Sequence, residues 1–225
     1  LAVELVPPES DLDASNNRAE HLVFAALRRH QVLYVEDRPR WEWRYLTALL
    51  ERDPKWDLDA VLVERGALPR GPAPNQFPDS RERLFGYDLE ILGDLAVTGW
   101  DPGALQLLAD FVADRGGGLV LLDGARRHLA GYADSPLGPL FPVRVTDEEE
   151  LIGDFAWALT PAGAEHAALD LGQPGEDNNE SAWADLPSAR RITRTAPLPG
   201  AEVLLELAGG PTNLPAVVWR RYGAG

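Results

Sequence analysis

Acidic residues lie at the ends of three apolar runs in this chain, and their carboxylate groups can bind metal ions. Glu36, Asp94 and Asp123 each follow a short apolar run that is typical of a strand buried on both faces. Ligands of open parallel sheets bind beyond the carboxyl ends of the strands, so the three carboxylates are expected at one crevice. Their oxygens suit Mg²⁺ or Ca²⁺, and a metal-bound water there would make the protein a hydrolase.

Arginines at the same strand ends give these carboxylates a second interpretation. Arg38, Arg40 and Arg126 would pair with them across the rim, and the acidic residues would then cap loops instead of binding a cation. Trp41 follows Arg40, and such a pair either binds a planar or peptide ligand or packs through a cation–π contact. The sequence leaves both questions open. The candidate binding crevice comprises seven residues, namely Glu36, Arg38, Arg40, Trp41, Asp94, Asp123 and Arg126.

Nucleophilic catalysis is disfavoured by residue type. Asp123 occupies the strand-to-helix elbow at which hydrolases and amidotransferases carry Ser or Cys, and the chain has no Cys and no G-x-S-x-G motif. His128 follows the elbow and is interpreted as a solvated loop residue. A phosphoryl-accepting site would need a lysine at the rim, but Lys55 is predicted at the opposite end of the sheet. We therefore predict no catalytic residue and no cofactor.

Charge and composition narrow the possible partners. The chain has 225 residues, with 36 Asp and Glu against 21 Lys and Arg, so its net charge is −15. Nucleic acids and anionic bilayers would be repelled by most of this surface. No apolar window approaches the roughly 18 residues of a bilayer span. The chain begins at Leu1 and contains no Met, which leads us to expect a piece of a longer protein whose partner is another protein or a small molecule.

Strand and helix patterns alternate from residue 31 onward, which predicts an α/β fold with a parallel sheet covered by helices on both faces. In the helix predicted over 41–51, the residues Trp41, Tyr45, Ala48 and Leu49 form one apolar face. Further predicted helices begin at Asp79–Ser80, at Asp101–Pro102 and at Ser135–Pro136. The second of these ends at the glycines 116–118, and the third reaches Leu140. The predicted strands cover residues 32–35, 58–63, 89–93 and 119–122, and then 155–159, 201–207 and 216–222.

The first residues differ from the rest and suggest a boundary near residue 28. Two β-prone runs, 1–6 and 21–24, are separated by a Pro- and Asn-containing polar stretch, which predicts a hairpin with a long loop. A lone hairpin is barely stable in water. We therefore interpret residues 1–28 as the end of a preceding β-sandwich, or as a hairpin that packs on the next domain, and residues 29–225 as the α/β domain.

Several segments resemble a known family, the class I glutamine amidotransferase-like domain of large bacterial, often planctomycete, membrane proteins that also carry a von Willebrand factor A-like domain. The most specific of them is the Glu-x-Arg-Pro-Arg-Trp-Glu stretch at 36–42, and the remaining segments are 32–35, 77–81, 87–88, 91–94, 116–119, 131–137, 159–166, 183–187 and 221–223.

The resemblance implies a flavodoxin-like three-layer sandwich with a mostly parallel sheet, preceded by a β-sandwich tail that bears Asn16-Asn17. It also implies a place beside membrane-spanning segments, on the periplasmic side. It does not imply amidotransferase activity, because active relatives use a Cys where this chain has Asp123 or Gly124. His166 matches a turn motif of the relatives and takes no catalytic role. The sequence therefore predicts a non-catalytic ligand- or protein-interaction module, with a metal-dependent hydrolase as the alternative.

Overall fold

The computed structural model describes residues 2–4, 18–20, 28–63, 68–171, 179–210 and 212–225. Strands β1 (Ala2–Glu4) and β2 (Arg18–Glu20) pair antiparallel and form a short hairpin. The second strand of the hairpin thus precedes the predicted run 21–24, which lies outside the described residues.

A four-stranded parallel sheet forms the first half of the α/β structure. Its strands are β3 (His30–Glu36), β4 (Trp56–Leu62), β5 (Leu89–Leu92) and β6 (Gly118–Leu121), in the order β4-β3-β5-β6. All four correspond to predicted strands, and every neighbouring pair is parallel. Their carboxyl ends therefore lie along one edge of the sheet.

Helices cover both faces of this sheet. Helix α1 (Trp41–Arg52) follows β3, and α2 (Arg81–Leu84) precedes β5. Helix α3 (Pro102–Asp110) continues through a π-helical turn over Phe111–Arg115. The caps that the sequence predicted for α3 are present: the Asp101 carboxylate accepts from the backbone N–H groups of Gly103 and Ala104, and Gly116 ends the helix at a φ of +79°.

The two faces of the sheet bury different residues. Leu33, Val35 and Leu92 face α3, where they pack with its Leu105 and Leu108. Val32, Tyr34 and Ile91 face α1 and pack against its Trp43, Leu46 and Leu50. The sheet is consequently buried on both sides, as continuous apolar strands require.

The last third of the chain forms a second sheet, so the parallel sheet expected from the sequence is confined to the first half. Strands β7 (Val143–Leu159), β8 (Ala189–Pro197), β9 (Glu202–Ala208) and β10 (Leu214–Trp219) are antiparallel, in the order β10-β9-β7-β8. Short helices α4 (Pro161–Ala164) and α5 (Asn179–Ala184) lie between β7 and β8. The links from β8 to β9 and from β9 to β10 are a few residues long, too short for the crossover that a parallel pair needs. No helix among the described residues has the length and apolar character needed to cross a membrane.

Candidate functional site

Glu36, at the end of β3, is a buried carboxylate surrounded by hydrogen-bond donors. Only 1% of the residue is exposed. Its oxygens accept from Arg40 Nε at 2.9 Å, from the Tyr34 hydroxyl at 3.1 Å, and from the backbone N–H groups of Asp37 and Asp94 at 3.1 Å each. Burial, and after it the Glu36 carboxylate, raise the pKa of Tyr34, so that its hydroxyl stays protonated as a donor. Both oxygens of Glu36 are thus engaged within the protein.

Glycine at position 93 is what allows this carboxylate to lie beneath the end of β5. A Cβ placed on Gly93 would lie 2.1 Å from Glu36 Oε2, far inside any real contact distance. The Gly93 backbone N–H meanwhile donates to the Val35 carbonyl at 2.8 Å, which continues the pairing of β3 with β5. Any side chain at position 93 would therefore displace either Glu36 or the strand end.

Arg40 connects the ends of strands that lie two places apart in the sheet. Besides its bond to Glu36, its guanidinium donates to the carbonyl oxygens of Leu122 at 3.3 Å and Asp123 at 3.4 Å, both directly after β6. The side chain is 20% exposed, which leaves most of the ion pair out of water. Arg40 therefore neutralises Glu36 and holds the β6 loop against the end of β3.

Asp94 holds the loop that follows β6. It is buried, and its carboxylate accepts from the backbone N–H of Arg126 at 2.8 Å and of His128 at 2.9 Å. His128 Nδ1 lies 3.0 Å from the Asp94 carbonyl oxygen, so that nitrogen carries the proton. His128 is therefore half-buried against Asp94, and its interpretation as a solvated loop residue was wrong.

The other rim arginines pair with a carboxylate that the sequence analysis passed over. The Arg126 guanidinium forms an ion pair with Asp37, and Arg38 Nε lies 3.5 Å from the same carboxylate. The Arg38 side chain is otherwise exposed. The expected pairing of arginines with strand-end acids is thus present, but the pairs are Arg40 with Glu36 and Arg126 with Asp37.

Asp123 lies where the rim meets the antiparallel sheet. Its carboxylate accepts from Thr193 Oγ1, on β8, at 3.3 Å. Although the residue as a whole is exposed, desolvation of the carboxyl group and then the nearby charge of Asp94 raise the pKa of Asp123. Thr193 could not have been assigned to the site from the sequence, because a single threonine in a polar run gives no signal.

The arrangement works chemically as a salt-bridged rim. Glu36 and Asp94 already accept hydrogen bonds from residues of the chain itself. Over the ranges that the structure describes, no group of three or more His, Asp or Glu side chains could hold a metal ion. Of the two interpretations of the carboxylates, the geometry therefore favours loop-holding ion pairs over an open metal site.

Trp41 points away from this network and forms part of an exposed row of large apolar side chains. Trp41, Tyr45 and Leu49, one helical turn apart on α1, are 65%, 66% and 64% exposed; we call them the outer face of α1. The rings of Trp41 and Tyr45 stack at 6.0 Å, and the Arg44 guanidinium lies 5.9 Å from the Trp41 ring. The apolar face noted in the sequence is therefore not the one that packs on the sheet, and Trp41 is separate from the carboxylates of the candidate crevice.

Comparisons with known proteins bear on the fold alone. No family model matches the chain, and no curated protein matches it in sequence. Among solved structures, it is similar to the cytoplasmic protein STM3548 from Salmonella typhimurium, with a TM-score of 0.64 and 17% sequence identity over 87% of this chain and 84% of that one. This likeness supports an α/β fold for the chain.

Proposed function

We propose that this chain is a non-catalytic protein-interaction module that docks a partner through the outer face of α1. The observation that carries the proposal is the exposure of Trp41, Tyr45 and Leu49, each about two-thirds open to solvent and aligned along one helix. Single exposed apolar residues are common, but a contiguous row of large ones marks an interaction surface. Trp, Tyr and Arg are also the residues that most often carry binding energy at protein interfaces.

The rim supports this role by fixing the start of the helix. Helix α1 begins at Trp41, directly after Arg40, whose guanidinium is bonded to Glu36 and to the carbonyls that follow β6. The first aromatic residue of the outer face is therefore attached to a buried ion pair. A surface that is already ordered loses less conformational entropy on binding.

We infer that the flavodoxin-like architecture and the amidotransferase-like family implied by the resemblance also apply to this chain. A flavodoxin-like three-layer sandwich fits the strand order β4-β3-β5-β6 and the packing of α1 and α3 on opposite faces. An amidotransferase-like domain without its nucleophile fits Asp123 at the elbow. By the same resemblance, residues 29–225 form this domain, residues 1–28 end a β-sandwich, and the parent protein is membrane-anchored with the domain on the periplasmic side.

The chain is expected to release no ammonia from glutamine above the uncatalysed rate. The reason is chemical: the elbow carries a carboxylate, whereas amide transfer uses an activated thiol as its nucleophile. A coupled ammonia assay over a range of glutamine concentrations measures this directly. Ammonia release that saturates with glutamine and scales with protein concentration would contradict the non-catalytic assignment.

Site-specific crosslinking in the full-length protein, in cells that produce it, tests the docking surface. A photoreactive phenylalanine analogue in place of Tyr45 is expected to give a discrete crosslinked species. The same analogue in place of Ile152, a 73% exposed residue of β7, provides a matched control and should not give that species. Equal crosslinking from both positions, or none from position 45, would count against α1 as the docking surface.

A further inference from the structure

Two arginines lie beside the outer face of α1. Arg44, Ala48 and Arg52 are spaced one helical turn apart, and together with Trp41 and Tyr45 they line a shallow groove along the helix. Ala48 leaves a gap between the two arginines because its side chain is a single methyl group. The groove is therefore lined by two aromatic rings and two guanidinium groups.

Among the described residues, Arg44 and Arg52 have no ion-pair partner. In the part of the chain that the structure describes, no carboxylate lies within ion-pair distance of Arg44 or Arg52. Glu42, on the other side of the outer face, lies 3.8 Å from Arg40 NH1. The five residues that line the groove thus include two arginines and no carboxylate, on a chain whose net charge is −15.

We propose that this groove binds an acidic amphipathic helix of a partner protein. Apolar side chains of that helix would cover Trp41, Tyr45 and Leu49, and its carboxylates would pair with Arg44 and Arg52. This inference rests on the proposed function, since it specifies the chemistry of the partner at the same surface. Amphipathic helices commonly bind by placing their apolar face in a groove, and their anchor residues are then spaced about one helical turn apart.

The spacing of the arginines specifies the partner further. Eight residues of helix separate Arg44 from Arg52, a rise of about 12 Å. A helix lying along the groove presents acidic residues at that separation when they are two turns apart, seven or eight positions along the chain. The apolar residues between them then fall on Tyr45 and Ala48.

Charge also distinguishes a short helix from more extended partners. At physiological ionic strength charges act over about 8 Å, so a helix in the groove meets Arg44 and Arg52 directly and also senses the neighbouring carboxylates Glu42, Glu51 and Asp53. A bilayer, a nucleic acid or a second copy of the chain would extend beyond the groove and meet the acidic remainder of the surface. Direct pairing with the two arginines of the lining therefore favours a short acidic segment.

A pair of matched synthetic helices tests the proposal. Both are about four turns long with the same leucines, and they differ only in carrying either glutamates or lysines at two positions seven residues apart. The glutamate peptide is expected to bind the wild-type chain about tenfold more tightly than the lysine peptide. The double variant Arg44→Glu, Arg52→Glu should reverse that preference, and Arg194→Glu, which changes an exposed arginine of β8, should not. Fluorescence anisotropy gives the affinities, and amide chemical shifts locate the binding.

The other outcomes separate this inference from the proposed function. If both peptides bind equally and binding is lost in Trp41→Ala, Tyr45→Ala, the acidic partner is overturned but docking on α1 stands. If neither peptide binds, the acidic partner is again overturned, and the crosslinking at position 45 decides on docking separately. Binding of phosphatidylglycerol vesicles, or self-association in sedimentation, that depends on Tyr45 would replace the acidic helix by a lipid surface or a second copy.

Discussion

Replacing Arg40 by Met is expected to destabilise the fold by about 3–5 kcal/mol, the usual cost of removing one partner from a buried ion pair. Glu36, which is 1% exposed beside Arg40, would be left without a cation to compensate its charge. The carbonyl oxygens of Leu122 and Asp123 would lose the donors that hold the β6 loop. Methionine keeps most of the volume of the arginine stem, so little of the effect would come from lost packing.

Urea unfolding followed by circular dichroism measures this loss of stability, and two further variants serve as comparisons. Arg190→Met removes an equally direct ion pair, at 2.7 Å to Asp154, between side chains that are 75% and 68% exposed. Its cost should stay below about 1 kcal/mol because the pair lies in water. Adding Glu36→Gln to Arg40→Met should recover part of the stability by removing the unpaired charge. Equal costs for the two arginine variants would show that the Glu36 pair is not the rigid base proposed for α1.

Replacing Glu90 by Leu is expected to stabilise the protein at neutral pH by about 1–3 kcal/mol, the cost of a buried polar group without partners. Glu90 lies in β5 between Leu33 and Leu119 of the neighbouring strands. It is fully buried, and neither carboxyl oxygen has a hydrogen-bond partner among the described residues. Leucine has a similar length and would face the same apolar cluster as Leu33.

The pH dependence of stability gives this prediction a second readout. Burial raises the pKa of Glu90 well above its ordinary value of 4.5, so the folded chain keeps a proton that the unfolded chain has released. Stability due to this group is therefore present at acidic pH and is lost as pH rises from that ordinary value through the raised pKa. The slope is at most about 1.4 kcal/mol per pH unit.

Comparing unfolding free energies across pH tests this directly. Glu90→Leu and Glu90→Gln should both lose the slope, and only the leucine variant should also remove the buried polar group. Glu165→Gln, which changes an exposed glutamate, serves as the control and should follow the wild-type profile. A wild-type profile that is parallel to that of Glu90→Leu would mean that the Glu90 carboxyl reaches water or a partner in solution.

The sequence predicted the parallel half of the fold because its signals there are local. The strands β3 and β5 are uninterrupted apolar runs, and α3 has both a capping Asp101 and a terminating Gly116. Strand β8 gave no such signal, since Ala189–Pro197 contains three arginines and only one large apolar side chain, Ile192. The buried face of α1 was not identifiable either, because large apolar side chains cover more than half of the helix circumference, namely Trp41, Trp43, Tyr45, Leu46, Leu49 and Leu50.

The site shows the same division between local and long-range information. Strand-end acids and arginines were predictable from their positions along the chain. Which of them pair was not, since Asp37 and Arg126 are 89 residues apart and meet only through the folding of two loops. The unpartnered Glu90 was also missed, because one carboxylate within an apolar strand gives no sign of whether a donor faces it.

The contact between Gly93 and Glu36 has a consequence for how sequences of this kind can diverge. With Glu36 Oε2 occupying the space of a Cβ at position 93, a larger residue there becomes acceptable only after the side chain at 36 has shortened. A shortened side chain at 36 would in turn leave the Arg40 guanidinium without its main acceptor. Substitutions at positions 36, 40 and 93 therefore depend on one another. The order in which they occur decides which of the intermediate sequences can fold.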